Sequence, residues 1–80
     1  MTYKIKEKNM SRQVIKNFYG QIIGSLEDRG NKIVAKDFYG KILGHYDKNL
    51  NVTKNFYGQI ISTGDTTAAL IWQEYSQNPF

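Results

Sequence analysis

Three Phe-Tyr pairs, each followed by glycine, are the residues of this chain best suited to bind another molecule. Exposed aromatic rings stack on bases and lysines attract phosphates, so the two residue types together suit a single-stranded nucleic acid. The competing interpretation, which we favour here, is that one ring of each pair folds back over the adjacent hairpin as a cross-strand contact. The possible binding surface comprises Phe18, Tyr19, Phe38, Tyr39, Phe56 and Tyr57, with Lys16, Lys36 and Lys54 beside them.

Residues suited to catalysis or metal binding are few. The chain has one histidine, His45, and no cysteine, so it offers no thiolate nucleophile, and a zinc site would lack companion ligands. The acids Glu27, Asp28 and Asp47 flank predicted turns, although a pair of them on neighbouring turns could hold a cation weakly. No phosphate-binding glycine loop or nucleophile motif is present. We therefore expect a protein that is not an enzyme and uses no cofactor and no metal.

The aromatic pairs belong to an internal repeat. Phe-Tyr-Gly occurs at 18–20, 38–40 and 56–58, and the similarity around it is too extensive for chance. The 80 residues have room for one domain, over 1–80, with repeats at about 14–31, 34–51 and 52–64.

Each repeat carries the residue types of a tight turn. Asn17, Asp37 and Asn55 occupy the first position of the turn, and a glycine occupies the fourth, as type I turns prefer. The side chain at the first position can bind the backbone ahead of it, and glycine accepts the left-handed conformation that ends such a turn, often as a bulge. Each repeat is therefore predicted to be a β-hairpin with Phe-Tyr at its tip.

The sequence predicts a mainly β fold that positions these tips. We expect an antiparallel up-and-down meander of three hairpin repeats with one C-terminal α-helix. Turn formers at 28–31 and 47–51 reverse the chain between repeats. Predicted strands cover about 4–8, 13–16, 21–27, 33–36, 41–46, 52–54 and 59–63. The helix is predicted over about 66–75, where Asp65 or Thr66 can cap it and Ala68, Ile71, Trp72 and Tyr75 share a face. A strand over 68–75 is the alternative.

Strict alternation of side chains predicts two apolar faces. It places Ile22, Ile42 and Ile60 on one face of the sheet and Ile23, Leu43 and Ile61 on the other. One short helix cannot cover both, so we expect Ile23, Leu43 and Ile61 to form an oligomer face in a homo-oligomer, with a dimer favoured. A monomer that curls on itself and a complex with another protein are the alternatives.

At the level of the repeat, the chain resembles a loose group of short bacterial tandem-repeat proteins. Their units carry an Asn/Asp-x-Tyr-Gly turn, then an apolar pair and a second glycine. Gly24 and Gly44 match that second glycine, whereas Ser62 departs from it. The resemblance implies a β-meander whose biochemical role is unassigned.

The overall expectation is a non-catalytic interaction or structural module that associates with itself. Single-stranded nucleic-acid binding through the Phe-Tyr tips and flanking lysines is the alternative, in keeping with the net charge of +4. The sequence shows neither an apolar membrane span nor a signal peptide, so we expect no membrane partner and a cytoplasmic location.

Overall fold

The computed structural model describes residues 11–77, in which six strands form one antiparallel sheet in chain order and a helix follows. This arrangement confirms the predicted meander with its C-terminal helix. The predicted strand over 4–8 lies outside the described residues. The elements are β1 (Ser11–Lys16), β2 (Ile22–Asp28), β3 (Lys32–Asp37), β4 (Ile42–Asp47), β5 (Val52–Asn55), β6 (Ile60–Thr63) and α1 (Thr67–Gln77).

Helix α1 lies over one face of the sheet and contacts β2, β3 and β4. The core forms there, where Ile71 of the helix packs on Ile23 and Ala35. Leu70 and Tyr75 pack against this cluster, whereas Trp72 is exposed, so the buried helix face is rotated away from the predicted one. No helix among residues 11–77 is long and apolar enough to cross a membrane.

The start of the helix is fixed by side-chain hydrogen bonds. The Asp65 carboxylate accepts hydrogen bonds from the backbone N–H and the hydroxyl of Thr67, at 3.0 and 2.6 Å. The buried Thr53 hydroxyl donates to the Gly64 carbonyl and accepts from the Thr66 N–H. Strand β5 therefore holds the segment that leads into α1, and Asp65 satisfies an N–H that the first turn of a helix leaves free.

A bulge near the start of each returning strand changes which face its side chains occupy. Ile15 is opposite Gly24 and Lys16 is opposite Ile22, so Ile23 has no partner in the register. The same shift recurs in the other two hairpins. Because the extra residue interrupts the alternation, Ile23 joins its neighbour Gly24 on the helix face.

Because of this bulge, the predicted oligomer face does not form. Ile23 is only 2% exposed beneath α1, and Leu43 packs against the same core cluster. Of the three predicted residues, only Ile61 is exposed, at 47%. Ile23, Leu43 and Ile61 therefore do not form one open apolar surface, because the chain's own helix covers the first two.

The second glycine of the repeat allows strand and helix to approach closely. A Cβ at Gly24 would lie 2.5 Å from the Lys36 carbonyl oxygen and 2.6 Å from Ile71 Cγ2. A Cβ at Gly44 would likewise meet the Lys54 carbonyl oxygen of the next strand. Ser62, the corresponding residue of the third repeat, lies in β6, which no described strand follows, so a side chain fits there.

Candidate binding surface

The three turns that carry the aromatic pairs share one hydrogen-bond pattern. In the second repeat, Asp37 Oδ1 accepts from the N–H of Tyr39 at 2.9 Å and from the N–H of Lys41 at 2.8 Å. The Gly40 N–H donates to the Asp37 carbonyl at 3.1 Å, which closes the turn. Asn17 and Asn55 make the same bonds in their repeats. The first residue of each turn thus holds the hairpin through its side chain and its carbonyl group.

The glycine of each Phe-Tyr-Gly has the left-handed conformation that the sequence predicts. The φ angles of Gly20, Gly40 and Gly58 are +80°, +87° and +84°, and open space surrounds each of them. Backbone conformation, rather than crowding, therefore requires glycine at these positions.

The six rings line one end of the sheet, because all three turns connect an odd strand to the following even strand. We call Phe18, Tyr19, Phe38, Tyr39, Phe56 and Tyr57 the tip row. Phe18 is 99% exposed and Tyr19 is 86% exposed, so neither ring covers a neighbouring hairpin. In the other two tips the rings contact each other edge to face, with centroids 5.2 and 5.4 Å apart. The favoured interpretation of rings folded over adjacent hairpins does not describe the first tip.

Two grooves lie between the helix and the second and third tips. One has a volume of about 510 Å³ and lies between Phe56, Tyr57, Leu70 and Glu74. The other has a volume of about 410 Å³ and is lined by Phe38, Tyr39 and Tyr75. The second and third tips therefore border concave surface as well as presenting exposed rings.

Behind the tip row, each lysine of the predicted surface occupies the same place in its hairpin. Lys16, Lys36 and Lys54 immediately precede the turns, and they lie opposite Ile22, Ile42 and Ile60 in the register. Directly paired residues share a face, and this is the face away from α1. We call it the open face because no described helix covers it, although Val34 at its centre is only 3% exposed. The structure therefore places the three predicted lysines together on the open face, beside the tips.

The open face is predominantly basic. Glu27 accepts hydrogen bonds from Arg29 at 2.8 Å and from Lys36 at 3.0 Å. No ion pair joins Lys16 or Lys54 to another described residue. Cross-strand pairing assigns five basic and two acidic strand residues to this face. The basic residues are Arg12, Lys16, Lys32, Lys36 and Lys54, and the acids are Glu27 and Asp47.

His45 is half-buried in the middle of the open face, between Val34 and Lys54 in the register. Burial lowers the pKa of His45 below its ordinary value of 6.5, and the charges of Lys32 and Lys54 lower it further. His45 can report an anion that approaches this face, because a nearby negative charge would raise its pKa.

Two of the three acids that could have held a cation are engaged in ion pairs, and the third, Asp47, accepts hydrogen bonds from backbone N–H groups of its own turn. Lys48 contacts Asp28 at 2.9 Å, and its hydrogen bond holds the pKa of Asp28 below the ordinary value. The hydrogen bonds from Arg29 and Lys36 lower the pKa of Glu27 in the same way. Within residues 11–77 there is no group of three or more His, Cys, Asp or Glu side chains that could hold a metal ion.

Fold and surface together define a single-sheet β-meander built from repeated hairpins, with exposed aromatic tips beside a basic sheet face. Comparisons with protein-family models, with curated proteins and with solved structures found no match. The resemblance to short bacterial tandem-repeat proteins therefore stays a prediction.

Proposed function

We propose that this chain is a non-catalytic β-repeat module that pairs with a second copy of itself along the outer edge of β6. The observation that carries the proposal is the character of that edge. Its four residues, Ile60–Thr63, include no charge, and Ile60 and Ile61 are 61% and 47% exposed. An uncharged, apolar edge strand is a template for another strand.

The opposite edge of the described sheet, β1, is better protected. It carries Arg12 and Lys16, and charged side chains on an edge discourage pairing with another chain. Antiparallel pairing of β6 with β6 across a two-fold axis would satisfy free backbone groups and bury the two isoleucines of each copy. The open face is a poor alternative, because a two-fold axis there would bring lysines against lysines.

Light scattering over a range of protein concentrations tests this proposal. We expect a dimer mass for the unchanged chain at high concentration and a monomer mass for Ile61→Lys. The two-fold axis would bring the two new lysines close together, and their repulsion would oppose pairing. Val14→Lys is the matched control, because Val14 is also an exposed β-branched residue of an edge strand. We expect Val14→Lys to keep the dimer mass.

Two results would contradict the proposal. One is a monomer mass for the unchanged chain at every concentration, and the other is a dimer that Ile61→Lys leaves intact. Circular dichroism of each variant confirms that the sheet is retained.

Cytoplasmic residence is part of the same proposal, and fractionation of cells that express the full chain tests it.

A further inference from the structure

We propose that the tip row and the adjoining lysines bind a single-stranded nucleic acid, with bases stacked on the rings and phosphates held by Lys16, Lys36 and Lys54. This interaction is separate from pairing at β6, because it uses the end and the open face of the sheet rather than its edge. The two proposals can therefore fail independently.

The turns do not depend on aromatic residues at their central positions. Each turn is closed by its Asn or Asp side chain and by its glycine, and the two central positions of a type I turn accept most residues. Phe18 and Tyr19 nevertheless expose nearly all of their surface. The rings of the other two tips are 50–82% exposed, so each tip presents aromatic surface to solvent. Three such tips in one row suit a ligand that carries a repeated aromatic group.

The tips are regularly spaced along the end of the sheet. Successive tips lie two strands apart, and neighbouring strands are about 4.8 Å apart, so the tips recur roughly every 10 Å along the end of the sheet. The lysines recur with the same spacing, one beside each tip. A single-stranded nucleic acid could place bases on the row of rings and phosphates on the parallel row of lysines.

The charge of the lysines beside the tips is complementary to that of a phosphate chain. Lys16 and Lys54 form no ion pair with other described residues, and Lys36 shares Glu27 with Arg29. Lys32 and Lys54 lower the pKa of His45 in addition to the effect of burial. Asp47 raises it by less, so the two lysine charges outweigh the nearby acid at this point of the face. A polyanion without aromatic groups would contact the lysines but could not stack on the rings. Stacking therefore distinguishes a nucleic acid from other polyanions.

Fluorescence anisotropy with a labelled oligothymidylate tests the proposal. Affinity should fall with salt between about 50 and 200 mM, with a slope of roughly −0.7 in log K against log salt for each phosphate that the protein neutralises. Lys54→Gln should make the slope shallower by about 0.7. Lys48→Gln is the matched control, because Lys48 pairs with Asp28 in the turns at the opposite end of the sheet, and it should leave the slope unchanged.

The rings are tested separately. Tyr57→Ala should weaken binding by roughly 5- to 150-fold, the range measured for loss of one base stack. Tyr57→Phe keeps the ring and should bind as the unchanged protein does. Polyglutamate, which carries charge but no bases, should compete poorly at equal charge concentration.

His45 supplies an independent readout, because it is the only histidine. Its NMR titration should move to higher pH when the oligonucleotide is added, since phosphates offset the nearby lysine charges. The proposal is overturned if no saturable binding occurs at low salt, or if polyglutamate competes equally and Tyr57→Ala binds normally. It is also overturned if Lys48→Gln and Lys54→Gln change the slope alike.

Discussion

Gly44→Ala tests whether the second glycine of the repeat is required for close packing. The added Cβ would meet the Lys54 carbonyl oxygen, lie 2.8 Å from Leu70 Cδ1 and lie 3.1 Å from Asn55 Cα. Favourable carbon contacts lie at about 3.5–4.0 Å, so both strand β5 and helix α1 would have to shift. Overpacking of this kind costs about 1–3 kcal/mol, and a lower entropy of the unfolded chain returns about 0.4–1 kcal/mol. Because backbone atoms of β5 as well as a side chain must shift, the cost belongs to the upper part of that range, and we expect a net loss of about 1–2 kcal/mol.

Urea denaturation followed by the fluorescence of Trp72, the only tryptophan, measures this loss. In a domain of this size, it corresponds to a fall in Tm of about 4–16 °C. Gly44→Ser should be destabilising too, although serine is the native residue at position 62, where no described strand follows. A free energy of unfolding that stays the same or rises in Gly44→Ala would refute the close-packing argument.

Two further predictions concern the turns and the open face. Asp37→Ala removes the acceptor of two backbone N–H groups and should cost about 1–2 kcal/mol in urea denaturation, whereas Asp37→Asn should cost little, because the other repeats use asparagine. Equal losses in the two variants would contradict the role of this side chain. The pKa of His45 is lowered on folding, so its contribution to stability is present above pH 6.5 and is lost as the pH falls through the folded-state pKa. An NMR titration should find a midpoint below 6.5 that moves up in Lys54→Gln, and a midpoint at or above 6.5 would contradict the burial of the ring.

The hairpins were predictable because their determinants are local. An Asn or Asp at the first position and a glycine at the fourth define the turn by side-chain bonding and by a positive φ, without reference to distant residues. Repetition then indicated that three such hairpins follow one another. The meander and the placement of the aromatic pairs at its tips follow from these facts.

The faces of the returning strands were not predictable from simple alternation. In an apolar doublet such as Ile22-Ile23, either residue can face the core, and the choice depends on hydrogen-bond register across to β1. The signal that could have found the bulge is Gly24, because an isolated glycine in a strand often marks a bulge or a close backbone approach. Once the bulge is included, Ile23 belongs to the core and Ile22 to the open face.

The most direct test of the central claim, that the Asn, Asp and Gly residues fold the turns and leave the rings for binding, is the stability of the variant Phe18→Ser/Tyr19→Ser. Because both rings are almost fully exposed, we predict that its free energy of unfolding stays within about 1 kcal/mol of the unchanged chain. A loss approaching the 3–5 kcal/mol typical of a core aromatic would contradict the claim, because the rings would then be part of the folded core.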